Sequence, residues 1–301
     1  MANEITSANA VQAIVKLVAG KALPALGPNF VMAAFVNRNY DAVLAQAGDA
    51  INIPIAPNLS ANNIAEGGTV TNQNPSLGNA QITLNSHFES TFTIPNVPQA
   101  LASPSLIDTY MQPAVLAIAE KIEGDLLNLY GLFTANTSVG TASSPLTEST
   151  IDSGETALFN ARMADSIQKY LVVSGTAYSQ LRQISRFTES RMTGDNSGDA
   201  IYRGTILQAK NCMVVRSQKV ISSGGTTNNI MFGSDAICLV TRALPQVIAG
   251  TGAVSQNINS NGFGMRVVMS YNPQTLSQQF TVDCLYGIGI LRNQFAVPVL
   301  S

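Results

Sequence analysis

Charged residues are scarce in this chain of 301 residues. Lys, Arg, Asp and Glu make up 11% of the sequence, against about 25% in an average soluble domain. Hydrophobic residues are at the ordinary level of 46%, so the low charge content does not reflect an oversized core. Because a soluble monomer usually keeps a well-charged surface, the sequence predicts a protein largely covered by neighbours. Intrinsic disorder is excluded, since it combines low hydrophobicity with high charge.

A block of basic residues is also lacking. The formal net charge is −2, and the Lys and Arg residues are dispersed singly. This argues against tight nucleic-acid binding, which needs clustered cations. It leaves open the alternative that the inner surface of an assembly lies against nucleic acid without binding it tightly. The nearest approach to a cluster is Arg182, Arg186 and Arg191. Pairing with acidic residues of a neighbour is the favoured role for these arginines, and a nucleic-acid contact is the alternative.

Catalytic and metal-binding motifs are missing. One histidine, His87, cannot supply a histidine-rich zinc set, and no zinc-protease, phosphate-loop or calcium-loop pattern occurs. Gly287–Gly289 has no third glycine and no helix start after it, so it is not a dinucleotide fingerprint. We interpret His87 as a structural or interface residue, with a hydrolase as the rival hypothesis. The sequence therefore predicts no enzyme, no cofactor and no metal site.

Cysteines are few, and apolar runs are short. Cys212, Cys238 and Cys284 are far apart, odd in number and form no CxxC pair, which predicts buried, reduced thiols. No run of about 20 apolar residues, the length needed to cross a bilayer, is present. The first twenty residues lack the pattern of a secretory signal. These absences predict no membrane association.

Between Ala50 and Pro95 the chain has the pattern of a long hairpin-like excursion. Isoleucines alternate with polar or proline positions on the outward stretch, at Ile51, Ile53 and Ile55. A looser alternation marks the return, at Ile82, Leu84, Phe88, Phe92 and Ile94. The stretch 60–79 between them is rich in Asn, Gly, Ser and Thr and has one charged residue, Glu66. Turn chemistry marks its tip, at Gly67, Gly68 and the Asn74–Pro75 pair.

The strongest helix prediction follows this excursion. Ser103 and Pro104 form a helix start, and Pro113 must kink or restart the helix. One apolar stripe then continues through Val115, Ile118, Ala119, Ile122, Leu126, Leu129 and Phe133. Glu120 and Glu123 are assigned to the polar face, where solvated or intersubunit ion pairs are favoured over acid–base chemistry.

The remaining elements mix helices with strands. Helices are predicted over 6–23, 153–163 and 175–184, and strands over 169–174, 212–217 and 236–243. Two closing strands flank a turn at Asn272–Pro273. The predicted fold class is therefore α+β.

The order of these elements resembles the HK97-like major capsid fold of tailed phages. Three segments are similar to the coat-protein family of phage P22: DAIYRGTILQAKNCMVVRSQKV (199–220), NNIMFGSDAICLVTRALP (228–245) and FGMRVVMSYNPQTLSQQFTVDCLYGIGILRNQFAVPV (263–299). The resemblance implies an N-arm with the strand that follows it (1–45), an E-loop hairpin (46–98), a P-domain with a long spine helix (99–135 and 262–301) and a central A-domain (136–261).

The resemblance implies a major capsid protein without enzymatic activity. It would form hexamers and pentamers of an icosahedral head around double-stranded DNA, located in the virion after assembly in the bacterial cytoplasm. Implied partners are a portal protein, an optional decoration protein, and DNA held without strong specific binding. A separate scaffolding protein is also implied, because no long charged propeptide begins the sequence. The alternative is another virion subunit such as a tail-tube protein, although the long helix argues against it.

Two features depart from some members of these families. An inserted domain present in some relatives is replaced here by the loop ISSGGTTN (221–228). The excursion 50–95 contains no lysine, so it cannot form the lysine–asparagine cross-link that locks some HK97-like shells, and non-covalent contacts remain. The residues predicted at the assembly interface are Glu66, Gly67, Gly68, Asn74, Glu120, Glu123, Arg182, Arg186 and Arg191.

Overall fold

The structure is a computed structural model that describes residues 31–40, 50–57, 59–75, 77–96, 105–184, 206, 208–248, 252–260 and 263–301. The helices in these residues are α1 (Ser105–Asn128), α2 (Glu148–Asn160) and α3 (Gly175–Gln183), with 3-10 turns at Met32–Ala34, Leu129–Leu132 and Asn293–Phe295. The strands are β1 (Ala50–Ile55), β2 (Gly78–Thr83), β3 (Ser86–Pro95), β4 (Lys169–Val173), β5 (Gln208–Ala209), β6 (Cys212–Arg216), β7 (Ser222–Ser223), β8 (Thr226–Gly233), β9 (Ile237–Arg242), β10 (Ala253–Ser260), β11 (Phe263–Asn272), β12 (Ser277–Ile290) and β13 (Ala296–Leu300).

The described strands form three sheets. One contains only β1 and β2, which are antiparallel. The second has the order β10-β11-β12-β3, with β9 pairing the last residues of β12. The third has the order β13-β8-β4-β6-β5, with β7 pairing β8. In the third sheet β4 and β6 are parallel, and their other neighbours are antiparallel. This mixture of helices and sheets confirms the predicted α+β class.

Helix α1 is the long helix that the apolar stripe predicts. It spans 24 residues without interruption at Pro113, a length of about 36 Å at 1.5 Å per residue. All seven residues of the predicted stripe are buried, and they contribute to the main hydrophobic core together with strands of the second and third sheets. Asp125 on the helix accepts a hydrogen bond of 2.6 Å from the Tyr286 hydroxyl on β12. This bond fixes the helix to the second sheet.

The return half of the predicted hairpin is two separate strands. Strand β2 pairs with β1, from Ala50 opposite Thr83 to Ile55 opposite Gly78. Strand β3 instead pairs along β12, from Ser86 opposite Tyr286 to Pro95 opposite Ser277. Its aromatic residues explain this choice, because Phe88 stacks on Tyr286, and Phe92 contacts both Tyr110 and Phe280. The single long hairpin predicted over 50–95 is therefore wrong beyond residue 83.

Strand pairing also crosses the predicted domain ranges. β9 and β10, from the predicted A-domain range, join β11 and β12 in the second sheet. β13, from the predicted P-domain range, pairs with β8 in the third sheet. Strand β10 was not predicted at all, because its sequence AVSQNINS has no large aromatic residue and few β-branched ones. The boundaries themselves stay a prediction.

The two helices of the central region begin at side-chain caps. The Thr147 hydroxyl accepts a hydrogen bond from the amide of Thr150 at the start of α2, and the Ser174 hydroxyl accepts one from Ala177 in α3. The predicted helix 153–163 therefore begins five residues earlier, at Glu148. The strands predicted at 169–174, 212–217 and 236–243 are confirmed as β4, β6 and β9. The helix predicted over 6–23 lies outside the described residues.

Candidate assembly arm

A small hydrophobic core anchors the two-stranded sheet of β1 and β2. Burial alternates along both strands, so that one face points inward and the other is exposed. The inward residues Ile51, Ile53, Ala80 and Ile82 belong to a second hydrophobic cluster, separate from the main core. Its other members are Leu84, together with Cys238 and Val240 of β9, Leu285 of β12, and Leu291 after β12. This burial holds the base of the excursion on the rest of the subunit.

Two glycines of β12 allow β2 to lie close against it. A Cβ atom on Gly287 would be 2.5 Å from the carbonyl oxygen of Thr83, and one on Gly289 would be 2.7 Å from Cγ1 of Ile82. Non-bonded contacts this short do not occur for real Cβ atoms, so larger residues would force the strands apart. Nothing in the local sequence around Gly287–Gly289 signals this packing role. Only the fold shows which backbone faces these glycines.

Residues 56–77 join β1 to β2, and we call them the arm. Every described residue from 59 to 79 is exposed except Gln73, which is half-buried. Four large aliphatic side chains are among the exposed residues, with exposed fractions of 64% for Leu59, 49% for Ile64, 80% for Val70 and 69% for Leu77. Four large aliphatic side chains exposed on one short segment make the arm a candidate interaction surface.

The four arm residues predicted at the interface all lie on this exposed segment. Gly67 adopts a φ of +78°, and the amide of Gly68 donates a hydrogen bond of 2.9 Å to the carbonyl oxygen of Ala65. The two glycines therefore form a tight turn, since a positive φ is strained for residues with a Cβ. Glu66 lies in this turn and is the single charged residue of the arm, and Asn74 is exposed near the returning end.

Glu120 and Glu123 lie on α1, but their surroundings differ. Glu120 is half-buried, and its Oε2 lies 2.7 Å from Nζ of Lys219. Glu123 is buried, with 2% of its surface exposed. It accepts hydrogen bonds of 2.9 Å from the Met32 amide and the Ser217 hydroxyl. Burial raises the pKa of this carboxyl, while the hydrogen bonds from Ser217 and Met32 act in the opposite direction.

The prediction of a solvated or intersubunit Glu123 is therefore wrong. Its carboxylate joins three parts of one subunit: the 3-10 turn at Met32–Ala34, helix α1 and the segment after β6. The helical pattern placed Glu123 beside Glu120 on a polar face, but Met32 and Ser217 lie over this part of the helix. Nothing in the local sequence signals partners that are about 90 positions away in both directions.

The predicted basic cluster is only partly described. Arg182 is exposed in the last turn of α3, whereas Arg186 and Arg191 lie outside the described residues. The predicted site residues therefore do not form one site within the part of the chain that the structure describes. They lie on the arm, on α1 and on α3.

His87 belongs to a group of contacting polar side chains in the second sheet. Its Nε2 lies 3.4 Å from Oδ2 of Asp283, a carboxylate that is nearly completely buried. Arg266 binds the same carboxylate with two nitrogens, at 3.1 Å from Nε to Oδ1 and 2.5 Å from Nη2 to Oδ2. The three residues are on β3, β12 and β11, so the group links neighbouring strands. This geometry supports the structural interpretation of His87.

Comparison with known proteins gives matches among solved structures alone. No protein-family model and no curated protein matches the sequence. A structure described as Mycobacterium phage Che8 has a TM-score of 0.65 and 16% identity, and covers 90% of each chain. The capsid of a native GTA particle has a TM-score of 0.62 and 8% identity, and covers 90% of this chain and 89% of that chain. The capsid of cyanophage P-SCSP1u has a TM-score of 0.59 and 13% identity, over 85% and 84%.

These matches extend over nearly the whole of each chain. The chain has the HK97-like capsid fold. Identities of 8–16% establish the fold and no more, so the narrower resemblance to the phage P22 coat-protein family stays a prediction.

The described residues contain no group of three or more His, Cys, Asp or Glu side chains that could hold a metal ion. No helix in the part of the chain that the structure describes is long and apolar enough to span a membrane.

All three cysteines are buried thiols that form no disulfide, as the sequence predicts. Burial raises the pKa of Cys212 and of Cys284 to about 12. Because the thiolate is the reactive form, both thiols are protonated at neutral pH, and the bulk of the subunit shields them. These residues are therefore packing residues in this protein.

Native subunits should react with a thiol reagent much more slowly than unfolded ones. At pH 8 a thiol with a pKa near 12 is ionised in about one molecule in 10⁴, against about one in four at the ordinary pKa of 8.5. Labelling followed by mass spectrometry should give no modified Cys212 or Cys284 in the time that modifies all three cysteines in guanidinium chloride. Rapid modification of either residue in native protein would contradict the burial that the structure shows.

Proposed function

We propose that this chain is the major capsid protein of a tailed phage, closest to the phage P22 coat-protein family. Many copies would form hexamers and pentamers of an icosahedral head that encloses double-stranded DNA. The observation that carries the proposal is the arm on a chain with a capsid fold, because its four large aliphatic side chains are 49–80% exposed and so lack full cover in the described part of the subunit. A second copy of the subunit supplies that cover.

The arm and the N-arm would make the assembly contacts. The arm lies over the second sheet of an adjacent copy, and the N-arm (1–45) reaches another neighbour. Full burial of an aliphatic side chain such as Leu59 or Val70 contributes about 1.5–3 kcal/mol, but ordering and association oppose this gain. Each contact is therefore modest, and the shell is stabilised by their repetition. The remaining proposed interface residues are Glu66, Gly67, Gly68, Asn74, Glu120, Arg182, Arg186 and Arg191.

The scarcity of charge suits this role. Uncharged polar groups such as those of the arm form hydrogen bonds across an interface, and their burial is less unfavourable than the burial of a charge. The arm has no lysine, so its contacts are non-covalent. Without a basic block, the inner surface holds DNA without strong specific binding. A separate scaffolding protein, a portal protein and an optional decoration protein complete the proposed partners, with assembly in the bacterial cytoplasm and the mature protein in the virion.

Electron micrographs of the purified chain test this function. We expect closed shells of uniform diameter when the chain is concentrated alone or co-expressed with its scaffolding protein. Tubes or fibres would instead support the tail-tube alternative, which the capsid-fold matches do not favour. A chain that stays monomeric under every condition, with its scaffolding protein present, would contradict the proposal.

A further inference from the structure

One side chain of the arm binds both backbone polar groups of a distant residue. The side-chain amide of Gln73 accepts a hydrogen bond of 3.0 Å from the Ser60 amide and donates one to the Ser60 carbonyl oxygen. A neighbouring β-strand would satisfy the same two groups in the same way. Gln73 is also the one half-buried residue among the described residues from 59 to 79. Its side chain is therefore turned in towards the chain rather than out to solvent.

This pairing closes residues 61–72 into a loop. Near the middle of the loop, the turn at Gly67 and the bond from the Gly68 amide to the Ala65 carbonyl fix the direction of the chain. Ile64 and Val70 are among the twelve residues of this loop, and Leu59 directly precedes Ser60 in the sequence. The pairing thus limits the positions that these exposed aliphatic side chains can occupy.

We propose that Gln73 is a positioning residue for assembly, which holds the arm in its docking conformation before a second copy binds. The inference deepens the proposed function and rests on it. A free segment of twelve residues loses conformational entropy when it is ordered on a partner, and that loss weakens binding. With the loop closed during folding of the subunit, less entropy is lost during assembly.

The chemistry of the pairing requires glutamine. It needs one acceptor and one donor at the end of a side chain of this reach, which a primary amide provides. Glutamate accepts from the Ser60 amide, but its carboxylate faces the Ser60 carbonyl oxygen without a proton to donate. Asparagine has both groups and is one methylene shorter. Gln73→Asn therefore tests reach, and Gln73→Glu tests the donor.

Two measurements on the full chain test the proposal. Hydrogen exchange of the Ser60 amide in unassembled subunits reports the pairing, and the critical concentration for shell formation reports its use. We expect Gln73→Asn and Gln73→Glu to raise the exchange rate at Ser60 and to raise the critical concentration by about tenfold, with an unchanged melting temperature. Gln81→Glu, on the exposed face of β2, is the matched control for the added charge and should change neither measurement.

The outcomes separate this proposal from the proposed function. Normal shells with an unchanged critical concentration in both Gln73 variants would overturn the positioning role and leave the capsid function standing. An unchanged exchange rate at Ser60 would overturn the pairing itself. If the unsubstituted chain forms no shells, the proposed function fails, and the assembly role of Gln73 fails with it. The exchange rates then still decide whether the pairing exists.

Discussion

Replacing residues 61–72 with a four-residue Gly/Ser linker should leave a folded subunit that cannot form stable shells. The Gln73 side chain contacts the Ser60 backbone, so a short linker can join the two ends. The removed segment is exposed throughout, so its loss removes no core contact, and the melting temperature should change by about 2 °C or less. Sedimentation of the variant should show subunits or open fragments at concentrations where the unaltered chain forms shells.

A second variant separates the length of the arm from its contacts. A linker of twelve Gly and Ser residues in place of 61–72 keeps the length but removes Ile64, Val70 and the Gly67 turn. We expect it to fail in assembly as the short linker does, because the missing contacts and not the missing length prevent docking. Loss of the cooperative melting transition in either variant would show that the arm belongs to the core. Normal shells from both variants would remove the arm from the assembly mechanism.

Gly287→Ala should destabilise the subunit and also reduce assembly. The new Cβ would lie 2.5 Å from the Thr83 carbonyl oxygen, which is a backbone atom, so β2 must move away from β12. Overpacking of this kind costs about 1–3 kcal/mol. In a chain of this size the melting temperature should fall by about 2–5 °C, as measured by calorimetry on unassembled subunits. Because β2 carries one end of the arm, a displaced β2 also misdirects the arm, and the critical concentration should rise.

Gly124→Ala is the matched control for this substitution. Gly124 lies inside α1, and a Cβ at this position would meet no atom within 4 Å. Alanine is a better helix residue than glycine by about 1 kcal/mol, so this variant should be slightly more stable. The same chemical change thus has opposite expected effects at the two positions. An equal and small effect of both substitutions would contradict the close contact between β2 and β12.

Features that depend on local pattern could be predicted from the sequence. The stripe from Val115 to Phe133 repeats at helical spacing, and every residue of it is buried as predicted. The strands at 169–174 and 212–217 and the capped helix that begins after Ser174 are also local signals. The exposed character of the arm follows from its composition, because a segment rich in Asn, Gly and Ser has little apolar surface to bury.

Features that depend on distant partners could not be predicted in this way. Strands β2 and β3 are separated by two residues, yet β2 pairs with β1 and β3 pairs with β12. The residues of one strand alone do not identify the strand with which it pairs. Glu123 was placed on a polar face because Met32 and Ser217 are far away in the sequence. Gln73 is one of several amides in a polar stretch, and only its geometry distinguishes it from Asn74 beside it.

A cryo-electron microscopy map of assembled particles tests the central claim most directly. The map needs enough detail to trace the backbone of residues 59–77 and to assign it to a subunit. We predict closed shells in which each arm leaves its own β1–β2 base and lies on the adjacent copy, with Leu59, Ile64, Val70 and Leu77 covered by that copy. Arms that fold back on their own subunit, or that remain uncovered in an intact shell, would contradict the account.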